Sequence, residues 1–324
     1  MRMIPQSILV TGATGQVGTE LIASLRKIHG PEQVLATDIH PPDSGMNGGP
    51  FELLNVLDET GMRRLFERYR PTQVFHLAAL LSAVGEKQPQ KAWQLNMEGL
   101  LHVLRLSVEF KVEKVFWPSS IAVFGPLSPK KNTPQNCIMN PHSVYGISKL
   151  AGERWCEYYA RHHGLDVRSL RYPGLIGWQA DPGGGTTDYA VHIFHEALKT
   201  NSYRCFLAEN TRLPMMSMPD AIRATIELME APRERIRIRS SYNIAGISFT
   251  PGELAAAIRA RLPGFRINYL ENDPRQEIAD SWPESIDDTE ARQDWNWKPA
   301  YDMDRLTDAM LKNIRRNRTF VHDL

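Results

Sequence analysis

The chain has 324 residues, 42% of them hydrophobic, and a formal net charge of +1 at pH 7, a length that supports one large or two moderate domains. Its near-neutral balance offers no surplus to recruit nucleic acid or an anionic membrane, and no stretch approaches the roughly 20 apolar residues of a membrane span. Three cysteines (Cys137, Cys156, Cys205) are odd in number and far apart, matching neither a disulfide framework nor zinc-ligand spacing.

An apolar run, Ile8-Leu9-Val10, stands so near the start that no room is left for a signal or transit peptide. The expectation is a reduced, cytoplasmic protein without a metal. The run leads into Thr11-Gly12-Ala13-Thr14-Gly15-Gln16-Val17-Gly18, after which Leu21, Ile22, Leu25 and Ile28 recur at helical spacing. This reads as strand, glycine turn and amphipathic helix. Gly12 suits the tight turn, Gly15 lets the backbone approach a pyrophosphate, and Gly18 lets the helix pack closely on the sheet. A second apolar strand, Val34 to Thr37, ends in Asp38. A carboxylate at that distance accepts hydrogen bonds from both adenosine ribose hydroxyls and repels a 2′-phosphate, so the expected cofactor is NAD rather than NADP.

Strand and helix continue to alternate. Met62, Leu65, Phe66 and Tyr69 lie on a helix closed by Pro71. Val74 to Ala79 reads as a strand ending in small residues, with His76 packed in the core. Residues 92–110 form a long helix with an apolar stripe, and Asn96 is placed to hydrogen-bond neighbouring loops. Lys114 to Trp117 is a strand leading to Pro118-Ser119-Ser120, and Val167 to Tyr172 is another, leading to Pro173. Such alternation predicts an α/β fold with a doubly wound parallel sheet and ligands at the strands' carboxyl ends. Those ends carry the glycine turn, Asp38, Leu77-Ala78-Ala79, Ser119-Ser120 and Tyr172.

Between the last two strands, residues 142–163 read as an amphipathic helix carrying Tyr145 and Lys149. Four apart on a helix, they share one face. A free tyrosine, with a pKa of about 10, is a poor base near neutrality, and a nearby cation draws that value down. The pair reads as a proton-transfer device that needs a hydride acceptor.

Residues 1–175 are thus expected to bind the dinucleotide, with parts of 212–245 returning to that sheet. Residues 176–324 mainly supply a smaller, discontinuous substrate lobe. In it, the glycine-rich loop 181–188 is a candidate anion-binding concavity, through its amides and threonine hydroxyls. Arg212 to Asp220 is expected to return to the sheet ahead of a helix at 221–230. The alternating run Arg233 to Arg239 reads as an exposed strand face. A helix at 251–261 and a strand at 265–270 follow. Trp282 reads as a packing or lid element; Trp295 and Trp297 read as core.

TGATGQVG, Asp38, HLAA at 76–79, PSSIAVFG at 118–125 and YGISK at 145–149 resemble the extended short-chain dehydrogenase/reductase family, which includes nucleotide-sugar epimerases. HLAALLSAVGE, VYGISKLAGERWCEYY, PGGGTTDYA and RLPMMSMPDAIRATIELMEAP, among other segments, are similar to its short-chain L-threonine 3-dehydrogenase branch. By that resemblance Tyr145 is the acid/base, Lys149 lowers its pKa and holds the nicotinamide ribose, and Ser120 orients the reacting oxygen. The implied NAD contacts are Gly12, Gly15, Gln16, Val17, Gly18, Asp38, Ile39, Asn55, Val56, Leu77, Ala78, Ala79, Asn96, Ser119, Tyr145, Lys149 and Tyr172. Asn55 stands where many members carry an aspartate near the adenine. Substrate contacts are expected from Ser82, Ser119, Ser120, Tyr145, Gly185 and Thr186, with Trp282 closing over them. The implied reaction is oxidation of the L-threonine β-hydroxyl by NAD to L-2-amino-3-oxobutanoate, in a homodimer joined through the 92–110 and 142–163 helices. The alternative is an epimerase or dehydratase acting on a nucleotide sugar.

Overall fold

A computed structural model describes residues 7–42, 48–180 and 183–322. Asp181 and Pro182 of the glycine-rich loop lie outside them. Six strands run through the first half: β1 (Ile8–Thr11), β2 (Val34–Asp38), β3 (Phe51–Leu53), β4 (Gln73–His76), β5 (Lys114–Ser120) and β6 (Asp166–Tyr172). β7 (Gly174–Ile176), β8 (Ser202–Cys205) and β9 (Leu213–Ser217) leave this sheet, and β10 (Tyr242–Asn243) returns to it beside β6. The described residues form a seven-stranded sheet in the order β10-β6-β5-β4-β1-β2-β3, every pairing parallel. From β1 the chain winds outward to β3, then crosses back to β4 and winds the other way. The crevice between β1 and β4 is the topological switch point, where such sheets take ligands.

Alternate residues of each strand feed opposite cores. Ile8 and Val10 pack on one side of β1 and Leu9 on the other, as in a sheet covered on both faces. The covering helices are α1 (Gln16–His29), α2 (Glu59–Tyr69), α4 (Pro89–Glu109), α5 (Val144–His163) and α7 (Met218–Glu230); α3 (Ser82–Lys87) packs on α4 and α5, and α6 (Tyr189–Thr200) packs on β8 in the smaller lobe. Local chemistry sets their ends. Ser143 accepts from the Gly146 amide at the start of α5, and Gly164 closes it with φ 66°. Ser217 caps α7 in the same way. At the far end of α7, the buried Arg168 guanidinium of β6 donates to the carbonyls of Leu228, Met229 and Ala231. These are the acceptors a helix end leaves unpaired. Arg168 also pairs with Asp166, two residues before it on β6.

The smaller lobe adds β11 (Ile247–Phe249), α8 (Pro251–Arg259), β12 (Arg266–Tyr269), α9 (Pro274–Ser281), α10 (Thr289–Trp295) and α11 (Met303–His322). Its strands form a three-stranded sheet, β11-β9-β7, and a parallel pair, β12-β8. Trp295 and Trp297 are buried, as expected. No helix among the described residues is long and apolar enough to cross a membrane.

Three expectations need correction. The 212–220 segment does not join the main sheet; its strand, β9, pairs with β7 and β11, and the return is made by β10. Arg233 to Arg239 is not a strand. A 3-10 turn covers Arg233–Arg235, Ile236 is buried, and Arg237 and Arg239 reach the carboxylates of Asp294 and Asp166. Discrete acidic partners, invisible to local periodicity, anchor this segment. β5 also runs on through Pro118 to Ser120 although it is a central strand. β4 pairs with it only as far as Phe116, so Pro118 meets no donor requirement on that side.

Candidate active site

At the switch point the chain leaves β1 through Gly12, whose φ of 70° is strained for most side chains. A Cβ on Gly12 would also strike the backbone of Ala78, at 2.6 Å from its nitrogen. α1 then starts at Gly15, which gives it no side-chain cap, so its first amides face outward. A Cβ on Gly18 would lie 2.3 Å from the Gly12 carbonyl oxygen, whereas one on Gly15 meets only that same oxygen, at 3.3 Å. Gly18 therefore lets α1 seat on the turn, and Gly15 leaves open space. Both glycines line a cavity of about 350 Å³ that runs past Gln16, Val17 and Leu77 to Ser120, Tyr145, Lys149 and Trp282. The Gln16 side-chain nitrogen, Nε2, is buried there with no partner among the described residues. An uncapped helix start, open glycines and an orphaned donor suit the pyrophosphate of a dinucleotide.

At the end of β2, Asp38 accepts from the Thr14 amide at 3.0 Å and from its neighbour Ile39 at 2.7 Å. This ties the strand end to the glycine turn.

α5 brings the tyrosine and lysine to the end of β5. A Cβ on Gly146 would lie 2.2 Å from the Ala122 carbonyl oxygen, so only glycine beside Tyr145 lets the helix approach this closely. The Tyr145 phenol hydrogen-bonds Ser120. The Lys149 ammonium donates to the Pro118 carbonyl at 2.6 Å and sits 4.5 Å from the centre of the Trp117 ring and 5.5 Å from that of Tyr145. Burial pushes the Tyr145 phenol up to about 12, with the Ser120 bond opposing it, and pushes Lys149 down to about 7. The expected depression of the tyrosine by the lysine is not seen: desolvation is the largest influence on the phenol, and Ser120 is what opposes it. Lys149 spends its closest contact on Pro118.

Across the cavity, the hydroxyls of Ser82 and Thr186 approach to 3.4 Å, both buried. The carboxylate of Asp188, also buried, accepts from the Gly184 amide at 2.9 Å and the Gly185 amide at 2.6 Å. Desolvation raises its pKa against those two bonds. These two amides, expected to receive an anionic ligand, are thus spent on an internal carboxylate. That carboxylate folds the loop so that Thr186 faces Ser82.

Several residues expected at the site also bond or pack against the protein itself. Asn96 clamps Leu80, accepting from its amide at 2.8 Å and donating to its carbonyl at 3.1 Å, so it shapes the cavity wall from behind. The Asn55 side-chain oxygen accepts from the Leu57 amide, and Val56 is buried under α4. Ala78 turns into the core while Ala79 lines the cavity. The Tyr172 hydroxyl bonds Thr225. Ser119 lines the cavity, yet its hydroxyl donates to Glu153 at 2.7 Å. Trp282 lines the cavity while packing in the core of the smaller lobe, and Lys130 donates to its carbonyl at 2.9 Å. His76 is in the core, as expected, bonded to Thr11 and pushed down to about 3 by burial. The sequence reading missed the Pro118 carbonyl, Asp188 and Glu153. Proline before the serine pair was its one visible sign.

The NAD dependent epimerase/dehydratase family model matches residues 8–245. An uncharacterized epimerase/dehydratase from Staphylococcus haemolyticus is 46% identical over 311 residues, covering 95% of this chain and 98% of that protein. The holo form of a GalE-like L-threonine dehydrogenase from Cupriavidus necator superposes with a TM-score of 0.93 at 54% identity, covering 95% of this chain and 99% of that one. A partial consensus L-threonine 3-dehydrogenase gives 0.94 at 55% identity, covering 96% and 99%.

Proposed function

Because the chain belongs to the NAD dependent epimerase/dehydratase family, we propose that it is an L-threonine 3-dehydrogenase, oxidising the β-hydroxyl of L-threonine to L-2-amino-3-oxobutanoate with NAD. One observation carries the choice of substrate. Among the described residues lining the cavity, Lys149 is the one lysine or arginine, and the wall opposite Tyr145 offers the Ser82 and Thr186 hydroxyls and the Asp188 carboxylate. A nucleotide sugar carries a diphosphate and calls for cations there; a small zwitterion does not. The threonine dehydrogenases among the similar structures support the same choice.

Bound NAD⁺, held at Gly12, Gly15, Gln16, Val17 and Gly18 with its ribose against Asp38, would supply the hydride-accepting ring and a positive charge near Tyr145. The Asp38 carboxylate disfavours a 2′-phosphate, hence NAD over NADP. Ser120 and Tyr145 grip the substrate hydroxyl, and Tyr145 takes its proton. The Lys149 ammonium favours the phenolate electrostatically. Ser82 and Thr186 hold the polar end of the amino acid, and Trp282 walls off water.

The assay is NADH formation followed by absorbance with L-threonine, L-allo-threonine, L-serine and simple secondary alcohols, using NAD and NADP. Threonine with NAD is expected to be the preferred pair. Folded protein that forms no NADH from threonine, or that instead turns over UDP-sugars, ends the proposal.

The working unit is proposed to be a homodimer. Trp93 on α4 and Ile147, Trp155 and Tyr158 on α5 are exposed although the two helices pack on each other, leaving an apolar stripe uncovered. Trp155 and Tyr158 stand edge to face at 5.6 Å. Replacing both with glutamate should halve the mass measured by light scattering; an unchanged mass excludes this face.

A further inference from the structure

We propose that Glu153 is a positioning residue for the Tyr145 site, holding the end of β5 through Ser119 so that the Pro118 carbonyl meets Lys149 and the Ser120 hydroxyl meets Tyr145. The inference deepens the reading above and rests on it. Glu153 is fully buried on α5, one turn beyond Lys149 and two beyond Tyr145. Arg171 of β6 grips its carboxylate with two bonds, Nε to Oε1 at 2.9 Å and Nη2 to Oε2 at 2.8 Å. Ser119 donates to Oε1 at 2.7 Å.

A buried ion pair seldom stabilises a fold more than apolar side chains of the same volume would. What it adds here is direction. Ser119 stands between the two residues whose oxygens touch the reacting pair: Pro118 accepts from Lys149 at 2.6 Å, and Ser120 bonds Tyr145. Arg171 extends the hold through Nη1, which donates to the Gln135 carbonyl at 2.9 Å and the Asn243 side chain at 3.0 Å. One carboxylate thus ties α5, the last residues of β5, β6 and β10 together. With every partner satisfied, such a network admits one arrangement.

Glu153 also faces the ammonium electrostatically. On α5, Lys149 has Tyr145, Cys156 and Glu153 as neighbours, and burial raises the thiol and the phenol so that both stay neutral. From β4 it faces His76, which burial also keeps neutral, and from β5 the Trp117 ring. Arg171 lies behind Glu153 and is paired with it, and Arg154 reaches the same carboxylate from the surface at 3.6 Å.

The test uses full-length protein labelled with ¹⁵N-lysine, the Lys149 signal being assigned by Lys149→Met. Glu153→Gln should lower the Lys149 titration midpoint by about one pH unit. Ser119→Ala keeps the ion pair but frees the end of β5, and should displace the Lys149 ammonium resonance. Both variants should lose about tenfold in threonine kcat with KM within about twofold, Ser119→Thr should restore the rate, and the double variant should be no slower than the worse single one. Unmoved Lys149 signals in both variants overturn the proposal. So does an additive loss with raised KM, which would mean that Ser119 acts by touching substrate. Should Glu153→Gln not fold, the alanine and threonine variants at Ser119 decide. The resonance is read without substrate, so the answer stands even if threonine is not turned over.

Discussion

Tyr145→Phe is expected to lower kcat with threonine by about 10²–10⁴-fold while leaving NADH affinity close to that of the parent. The substitution removes one oxygen. That oxygen meets Ser120 on the end of β5 and is the proton acceptor in the proposed reaction. The ring itself packs beside the core and is retained, so the fold should not register the loss. Burial holds the phenol near 12, so the parent should speed up as pH rises, because one proton must leave the Tyr145–Lys149 unit before the substrate hydroxyl can give up its own. The phenylalanine variant should lose that dependence. Steady-state rates across pH, with NADH fluorescence titration as the binding control, test both points; a variant within about threefold of parental kcat would remove Tyr145 from the chemistry.

Gly18→Ala should cost about 1–3 kcal/mol of stability and roughly 100-fold in NADH affinity. The added methyl would fall 2.3 Å from the Gly12 oxygen and 2.7 Å from that of Ala13, both backbone atoms that cannot rotate away. α1 must lift, carrying with it the amides proposed to face the pyrophosphate. Gly15→Ala makes the informative contrast. Its methyl meets protein only at 3.3 Å and otherwise projects into the cavity, so the variant should keep parental stability yet lose nucleotide. Urea unfolding and NADH titration of the two variants separate the effects. Parental NADH affinity in Gly18→Ala would take the turn out of the cofactor site.

The cavity end of the molecule was largely legible because its signals are short and local. Tyr145 and Lys149 share a helix face by spacing alone, the glycines precede an amphipathic helix, and the apolar runs of β1, β4 and β5 end in small residues, whereas β3 and β10 carry no such signal. What misled was inference about partners. Arg237 and Arg239 look like one face of a strand until Asp294 and Asp166 are seen beside them. Asn96, by contrast, hydrogen-bonds a neighbouring loop at Leu80 as its placement suggested, though nothing local named the residue it would meet. The glycine-rich loop had free amides on paper, and Asp188, inside the same segment, takes two of them.

By itself, then, the sequence determined the winding of the parallel sheet, the glycine turn at its switch point and the placing of Tyr145 and Lys149 on one helix face. All three follow from backbone geometry and residue spacing over fewer than about 30 residues. Only the tertiary structure decided that Ser82 meets Thr186, that Lys149 is held by a proline carbonyl, and that Ser119 is tied to Glu153. It also decided the electrostatic state of Tyr145, which spacing suggested would be lowered and burial instead raises. Contacts between distant segments and the loss of water around them belong to the packed chain, and no local pattern encodes them.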